Sequence, residues 1–236
     1  MLLLHEVHRV RGACEDEFEA AFRDRWLPEL AAGDDARLLY FMHLAHGSGR
    51  AYTAVTVTAA RDGAAWERLA RSVQDGPLRG WAHDVDQVRH GVTAKVLLPA
   101  PWSPPLVEDL DAVPTEPVEH PLTIFMEDTA WPHDGMLDDY LDAARTHYAP
   151  SLVDSAQQGR NILQLLAVFQ TAFGSGRRSE VVLWQRIVDN ARLQRLLETE
   201  VAPEHRQPGS WMHDALRVRD DWESRLLRTT AWSPLT

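Results

Sequence analysis

One motif, Trp-x-His-Asp, occurs twice and governs what this chain can fold into. Trp81-Ala82-His83-Asp84 returns 130 residues later as Trp211-Met212-His213-Asp214. The same offset carries Val88-Arg89 onto Val218-Arg219, Lys95-Val96-Leu97 onto Arg225-Leu226-Leu227, and Trp102-Ser103-Pro104 onto Trp232-Ser233-Pro234. Earlier in each half, Gly47-Ser48-Gly49-Arg50 matches Gly174-Ser175-Gly176-Arg177 at an offset of 127. Phe18, Trp26 and Pro28 match Tyr140, Tyr148 and Pro150 at an offset of 122. Collinear matches with a slowly drifting offset are what loop insertions between equivalent elements produce, and a repeat on this scale decides the architecture. The chain reads as a first copy over 1–98, a linker over 99–121 and a second copy over 122–236. Seven prolines and several acids fill the linker, and proline continues neither a helix nor a central strand.

Local patterns give each copy the order β-α-β-β-α-β, the ferredoxin-like plan. In the first copy, Leu2 to Val10 reads as a strand. Glu15 to Leu30 reads as a helix with Phe18, Phe22 and Trp26 four apart on one face. Arg37 to His46 is apolar on both alternating faces, as a strand buried on both sides would be. A Gly-Ser-Gly turn leads into Tyr52 to Ala59, a hairpin partner rich in Thr and Val. Asp62 to Val73 reads as a helix with Trp66, Leu69 and Val73 inward, and a strand is expected from about Asp86 to Leu97. The second copy repeats this with strands over 122–128, 161–173, 180–187 and 216–227, and helices over 134–155 and 189–201. A four-stranded sheet with helices on one face leaves its other face bare, and two such sheets can cover each other. The expected fold class is therefore α+β: two fused ferredoxin-like repeats forming an intramolecular α/β barrel. Each copy has room for a small ligand between sheet and helices.

The closing segment Glu223-Ser224-Arg225-Leu226-Leu227-Arg228, followed by Trp232-Ser233-Pro234-Leu235, is similar to the closing motif of NIPSNAP-family domains. The first copy carries a weaker version in Lys95-Val96-Leu97-Leu98-Pro99 and Trp102-Ser103-Pro104. The resemblance implies membership of the dimeric α/β barrel superfamily. That group includes cofactor-free monooxygenases, cyclases of antibiotic biosynthesis and haem-binding relatives of chlorite dismutase. Fold alone does not fix which chemistry applies.

Composition narrows the function classes. A net charge of -11 and the lack of a Lys/Arg stripe argue against nucleic acid. No stretch approaches the ~20 apolar residues of a membrane span. Met1-Leu2-Leu3-Leu4-His5-Glu6 is too short an apolar run for a signal peptide. A lone cysteine, Cys14, fits a reducing compartment. The chain is expected to be soluble and cytoplasmic, to take a small apolar or aromatic molecule, and to be compatible with homo-oligomerisation. Nine tryptophans suit cores, interfaces and pockets for flat ligands.

Histidine is the natural acid/base at neutral pH. His5, His8, His43 and His46 fall on first-copy strands, where the second copy has Glu127, Gln170 and Phe173 opposite His5, His43 and His46. That asymmetry points to a working pocket in the first copy; strand histidines capping sheet ends in water are the alternative. Residues three apart on a strand face opposite ways, so neither His5 with His8 nor His43 with His46 chelates one metal ion, and none is expected. His43, with His5 and Tyr40, is the candidate catalytic group: a buried imidazole able to take a proton from a phenol or enolisable ketone. A core histidine bonded to a backbone carbonyl is the competing reading. His83, Arg89, Trp66, Trp184 and His213 are the candidates for substrate contact. The repeated Trp-x-His-Asp equally suits a turn or a helix cap, and Arg89 and Arg219 equally suit pairing with acids. No cofactor is expected; the haem alternative would use His147 or His213 as axial ligand. The function the resemblance implies is cofactor-independent cyclisation or oxygenation of an aromatic substrate, with a non-enzymatic binding protein as the alternative.

Overall fold

The computed structural model describes residues 1–175 and 179–236, with the backbone alone at 195 and 196. Gly176 and Arg177 of the repeated turn lie outside the described residues. The chain packs as two compact units. One comprises Met1–Leu98, Leu106–Ile124 and Leu226–Thr236, the other Pro99–Pro105 and Phe125–Arg225.

The first unit holds β1 (Leu2–Val10), α1 (Glu15–Ala21), α2 (Leu27–Ala31), β2 (Ala36–Leu44), β3 (Thr53–Ala60), α3 (Gly63–Gln74), α4 (Arg79–Val88) and β4 (Arg89–Pro99). The second holds β5 (Ile124–Pro132), α5 (Leu137–Ala143), α6 (Ala149–Gln157), β6 (Leu163–Thr171), β7 (Val181–Ile187), α7 (Asn190–Glu198), α8 (Trp211–Asp214) and most of β8 (Arg219–Thr229). The fold class is α+β with two ferredoxin-like repeats. In the first unit β1 lies between β3 and β4, and β2 pairs with β3 and with the last residues of β8. In the second, β7 pairs with β5 and with β6.

The copies agree in fine detail. A π-helical turn joins α1 to α2 at Phe22–Trp26, and another joins α5 to α6 at Ala144–Tyr148, 122 residues on. Pro28 and Pro150 follow them; proline offers no N–H to the carbonyl four residues back, and the widened turn absorbs the fault. A bulge shifts the register of β2 between Leu38 and Tyr40, and the same bulge shifts β6 between Leu165 and Ala167. Gly47 and Gly174 sit at matching hairpin turns with φ of 84° and 82°, a conformation glycine adopts without strain.

Three local expectations need correction. The bulge breaks strict alternation in β2, so Ala36, Leu38 and Phe41 join the core under the helices. Past the bulge the alternation is regular, and Tyr40 points to the opposite face from Phe41 and His43. The Trp81-Ala82-His83-Asp84 segment lies within α4, not ahead of a strand. Trp81, Val85 and Val88 sit at helical spacing and bury their side chains, so β4 begins only at Arg89. On α3 Leu69 is buried and Val73 packs against the core as expected, but Ala65 takes the third inward place and Trp66 is 37% exposed.

Each unit is completed by the tail of the other copy. In the first unit, Thr230 N–H donates to Phe41 O (3.3 Å) and Phe41 N–H donates to Ser233 Oγ (3.2 Å). Trp232 packs on Phe41 at 5.1 Å and donates from Nε1 to Glu19 at 2.6 Å. In the second unit, Ala100 N–H donates to Val168 O (2.8 Å) and Val168 N–H donates to Ser103 Oγ (2.8 Å). The proline-rich segment is also anchored, with Asp111 accepting from Arg61 at 2.8 Å. Replacing Trp232 with alanine empties a buried site and strands Glu19. The expected cost is about 3–5 kcal/mol in urea unfolding. A loss no larger than that of Trp66→Ala would show that the tail is not part of the core.

Candidate functional site

The copies diverge where the helices face the sheet. In the first unit that space is filled. Trp26 stacks on Trp81 at 4.2 Å, Phe22 meets Trp81 edge-on at 5.2 Å, and His8 lies against Phe18 and Phe22 at 5.1 and 5.4 Å. Arg89 donates to His8 Nδ1 at 2.9 Å. A guanidinium has no acceptor, so His8 keeps its proton on Nε2 and donates it to Thr56 Oγ1 at 3.0 Å. Burial, then the charges of Arg89 and His5, hold the His8 pKa well below the usual histidine range. Burial likewise raises that of Glu6, against the Arg89 charge and the Thr56 hydrogen bond. His8 is a plug locked in neutral form.

In the second unit Tyr140, Tyr148 and Trp211 occupy the places of Phe18, Trp26 and Trp81, with Trp211 5.8 and 5.0 Å from the two tyrosine rings. Ala144 stands where Phe22 stands and Ala130 where His8 stands. Two rings reduced to methyl groups leave room, and a cavity of about 460 Å³ opens there. Its lining is apolar (Met126, Leu152, Leu183, Trp211 and Trp222 among others) with Asp128, Tyr140, Tyr148, His205, Arg219 and Ser224 as the polar groups.

These polar groups form a short relay. Tyr148 donates its hydroxyl proton to Gln185 Oε1, Gln185 Nε2 donates to Asp128 Oδ2 at 2.9 Å, and Ser224 donates to Asp128 Oδ1. Burial raises the Asp128 pKa; the Ser224 and Gln185 hydrogen bonds and the Arg219 charge oppose it, and Glu127 adds to it. Burial also lifts Tyr140 to about 12 and raises Tyr148 further, so both stay protonated donors. Arg219 is 3% exposed, bonds Tyr140, and lies 5.2 Å over the Trp222 ring.

The residues singled out from sequence sit elsewhere. His43 is not deep in the core: it lines a polar hollow of about 750 Å³ in the first unit, with Glu15, Asp16, Glu19, His46 and Arg50. Its Nε2 is 3.2 Å from Glu19. Burial opposes the ionised Glu19, but hydrogen bonds from His43 and Trp232 win and lower its pKa. His5, Tyr40 and Trp184 are buried, and none lines the second-unit cavity or the hollow around His43. His83 and Trp66 are exposed. Arg89 is engaged by His8 and by Asp86 at 2.6 Å. His213 pairs with Asp214 at 2.9 Å, and Asp214 accepts from Gly209 N–H at 3.0 Å, so this Trp-x-His-Asp ties down the start of its own helix. His147, offered as a haem ligand, is exposed and bonded to Thr146, and neither it nor His213 lines the cavity. Neither of these two histidines is placed as an axial ligand for a group held there; the histidine on the cavity wall is His205. Among the described residues, no cluster of three or more metal-ligating side chains occurs, and no helix is long and apolar enough to cross a membrane.

Sequence reasoning missed Asp128, Tyr140, Tyr148, Arg219 and Ser224 as one constellation. The signal was the repeat itself: at an offset of 122, His8 faces Ala130 and Phe22 faces Ala144.

No family's sequence pattern matches the chain, and no curated protein matches it. Solved structures do. A monooxygenase-like protein from Lactobacillus acidophilus NCFM is 9% identical and matches 99% of this chain and 96% of its own, with a TM-score of 0.60. An anthrone oxidase-like protein is 10% identical over 97% of this chain and 91% of its own, with a TM-score of 0.59. A NIPSNAP domain protein from Burkholderia xenovorans is 20% identical and matches 44% of this chain and all of its own, with a TM-score of 0.37. The chain thus has the α+β fold of the monooxygenase-like proteins, built from two ferredoxin-like repeats.

Proposed function

We propose that the chain is a cofactor-independent oxygenase of a flat, enolisable aromatic molecule, with its working site in the second repeat. The observation that carries this reading is the single buried carboxyl, Asp128, set in an apolar cavity walled by Tyr140, Tyr148, Trp211 and Trp222. Aromatic walls stack flat rings and exclude water. A carboxylate whose charge is penalised by burial is a stronger base than one in water, and Ser224 and Gln185 fix its two oxygens toward defined positions. Asp128 removes a proton from the substrate's activated CH₂. The carbanion gives an electron pair to dioxygen, and the C–O bond forms as a peroxide anion. Asp128 returns the proton to give the hydroperoxide, and loss of water leaves a carbonyl: CH₂ plus O₂ becomes C=O plus H₂O. The likeness to an anthrone oxidase-like protein supports this choice of substrate class.

The test is oxygen uptake with anthrone. The expected outcome is one O₂ consumed per anthrone, with kcat/KM of Asp128→Asn down by about a hundredfold or more. His43→Ala should stay near wild type. Full activity in Asp128→Asn would remove the assignment.

Stability against pH checks the burial of Asp128 without a substrate. A carboxyl with a raised folded pKa favours folding while it is protonated. That contribution fades as pH rises through the folded value. Arg219, Glu127, Tyr140 and Tyr148 act on it from the neighbouring elements. Relative to Asp128→Asn, the wild type should therefore lose stability as pH climbs from the ordinary aspartate range toward neutrality. Parallel unfolding curves for the two proteins across that interval would contradict the raised pKa.

A further inference from the structure

We infer that the ligand of the second-unit cavity presents an anionic oxygen to Arg219, taking the place that His8 and Asp86 take at Arg89 in the first unit. This rests on the reading of that cavity as the substrate site.

Arg89 and Arg219 are equivalent residues, each opening the last strand of its copy. Arg89 is satisfied internally. It donates to His8 Nδ1 at 2.9 Å and to Asp86 at 2.6 and 2.8 Å. In the second copy the arginine is retained, yet both partners are gone: Ala130 replaces His8 and Leu216 replaces Asp86. Neither a methyl group nor a leucine accepts a hydrogen bond. Arg219 is nevertheless the more buried of the two, at 3% exposure, and its Nε has no hydrogen-bond partner. A buried guanidinium with an unused donor is costly unless something supplies the acceptor. The void left by His8 is part of the cavity that Arg219 and Ala130 both line, so the missing acceptor and the space for a ligand coincide. Trp222, 5.2 Å from the guanidinium, gives a ring face beside the charge. The ligand class is a flat aromatic carrying a carboxylate, or a phenolic or enolic oxygen that ionises on binding.

The probes are 9-anthracenecarboxylate and the uncharged 9-anthracenemethanol, titrated at pH 8 by quenching of tryptophan fluorescence. Wild type should bind the carboxylate at least about tenfold tighter, as a charge-assisted hydrogen bond in a buried site gives. Arg219→Gln should bring the two affinities together, and Arg219→Lys should keep part of the preference. The double substitution Ala130→His with Leu216→Asp restores the first unit's internal partners while Arg219 stays paired and the fold is spared. It too should remove the preference. Equal wild-type affinities, or a preference that survives in Arg219→Gln, would overturn the inference and leave the cavity's role as a binding site standing. If neither probe binds, the reading of the cavity itself fails, and the inference with it.

Discussion

The fold depends on a serine hydroxyl placed against the middle of a strand. Phe41 N–H in one unit and Val168 N–H in the other are strand donors that would otherwise lack an acceptor beyond the sheet. Ser233 and Ser103 supply it. Each serine sits in a Trp-Ser-Pro segment that follows, in sequence, the last strand of the other copy. An unpaired buried N–H costs about 1–3 kcal/mol. The hydrogen bond therefore fixes where the tail lies, and the tail brings a tryptophan into the core. Trp232 uses its N–H on Glu19, and that carboxylate in turn holds His43. His43 is thus held in the joint between α1, β2 and the tail.

The second copy has no counterpart to that joint. Leu141 stands at the position of Glu19, and the Trp102 ring nitrogen is buried with no partner. The polar groups of the two copies have been redistributed. The first copy spends them on locking helices to sheet, with His8 bridging Arg89 and Thr56 and with Glu19 bridging His43 and Trp232. The second copy gathers them around a space, with Asp128, Gln185, Tyr148 and Ser224 in one hydrogen-bonded chain. A duplicated fold allows this division, since one unit can fill the space between its helices and sheet while the other carries the instability of a cavity and a buried charge there.

Most of the fold could be read from the chain. The repeat, the linker and the βαββαβ order followed from collinear matches and from 3.6- and 2-residue periods. What could not be read were departures from those periods. Tyr40 and His43 are three apart and past the bulge, so plain alternation already separated them; what the bulge changed is that Leu38 shares a face with Phe41, and no pattern of apolar residues marks a bulge in a strand that is apolar on both faces. The helix Arg79–Val88 was hidden because its neighbour β4 shares the same run of valines. The site was harder still. Counting histidines favoured the first copy, where His8 fills the space between helices and sheet while His43 and His46 line a separate hollow. A missing side chain carries no residue of its own to notice, so Ala130 and Ala144 speak only when set beside His8 and Phe22.

Retention is as informative as loss. Arg219 is buried although Ala130 and Leu216, at the places of His8 and Asp86, offer it no acceptor, and burying a guanidinium without such partners is unfavourable. It stays, fully buried, over Trp222 and against Tyr140, with Asp128 close enough for its charge to be felt. Low polarity around these groups strengthens each interaction with a bound molecule, since little water competes for it. The same low polarity keeps the tyrosines protonated and resists ionisation of Asp128, so the cavity at rest holds one fixed positive charge and a reluctant acid. A flat molecule that can lose a proton and become an anion satisfies both: it feeds the base and neutralises the arginine in one step.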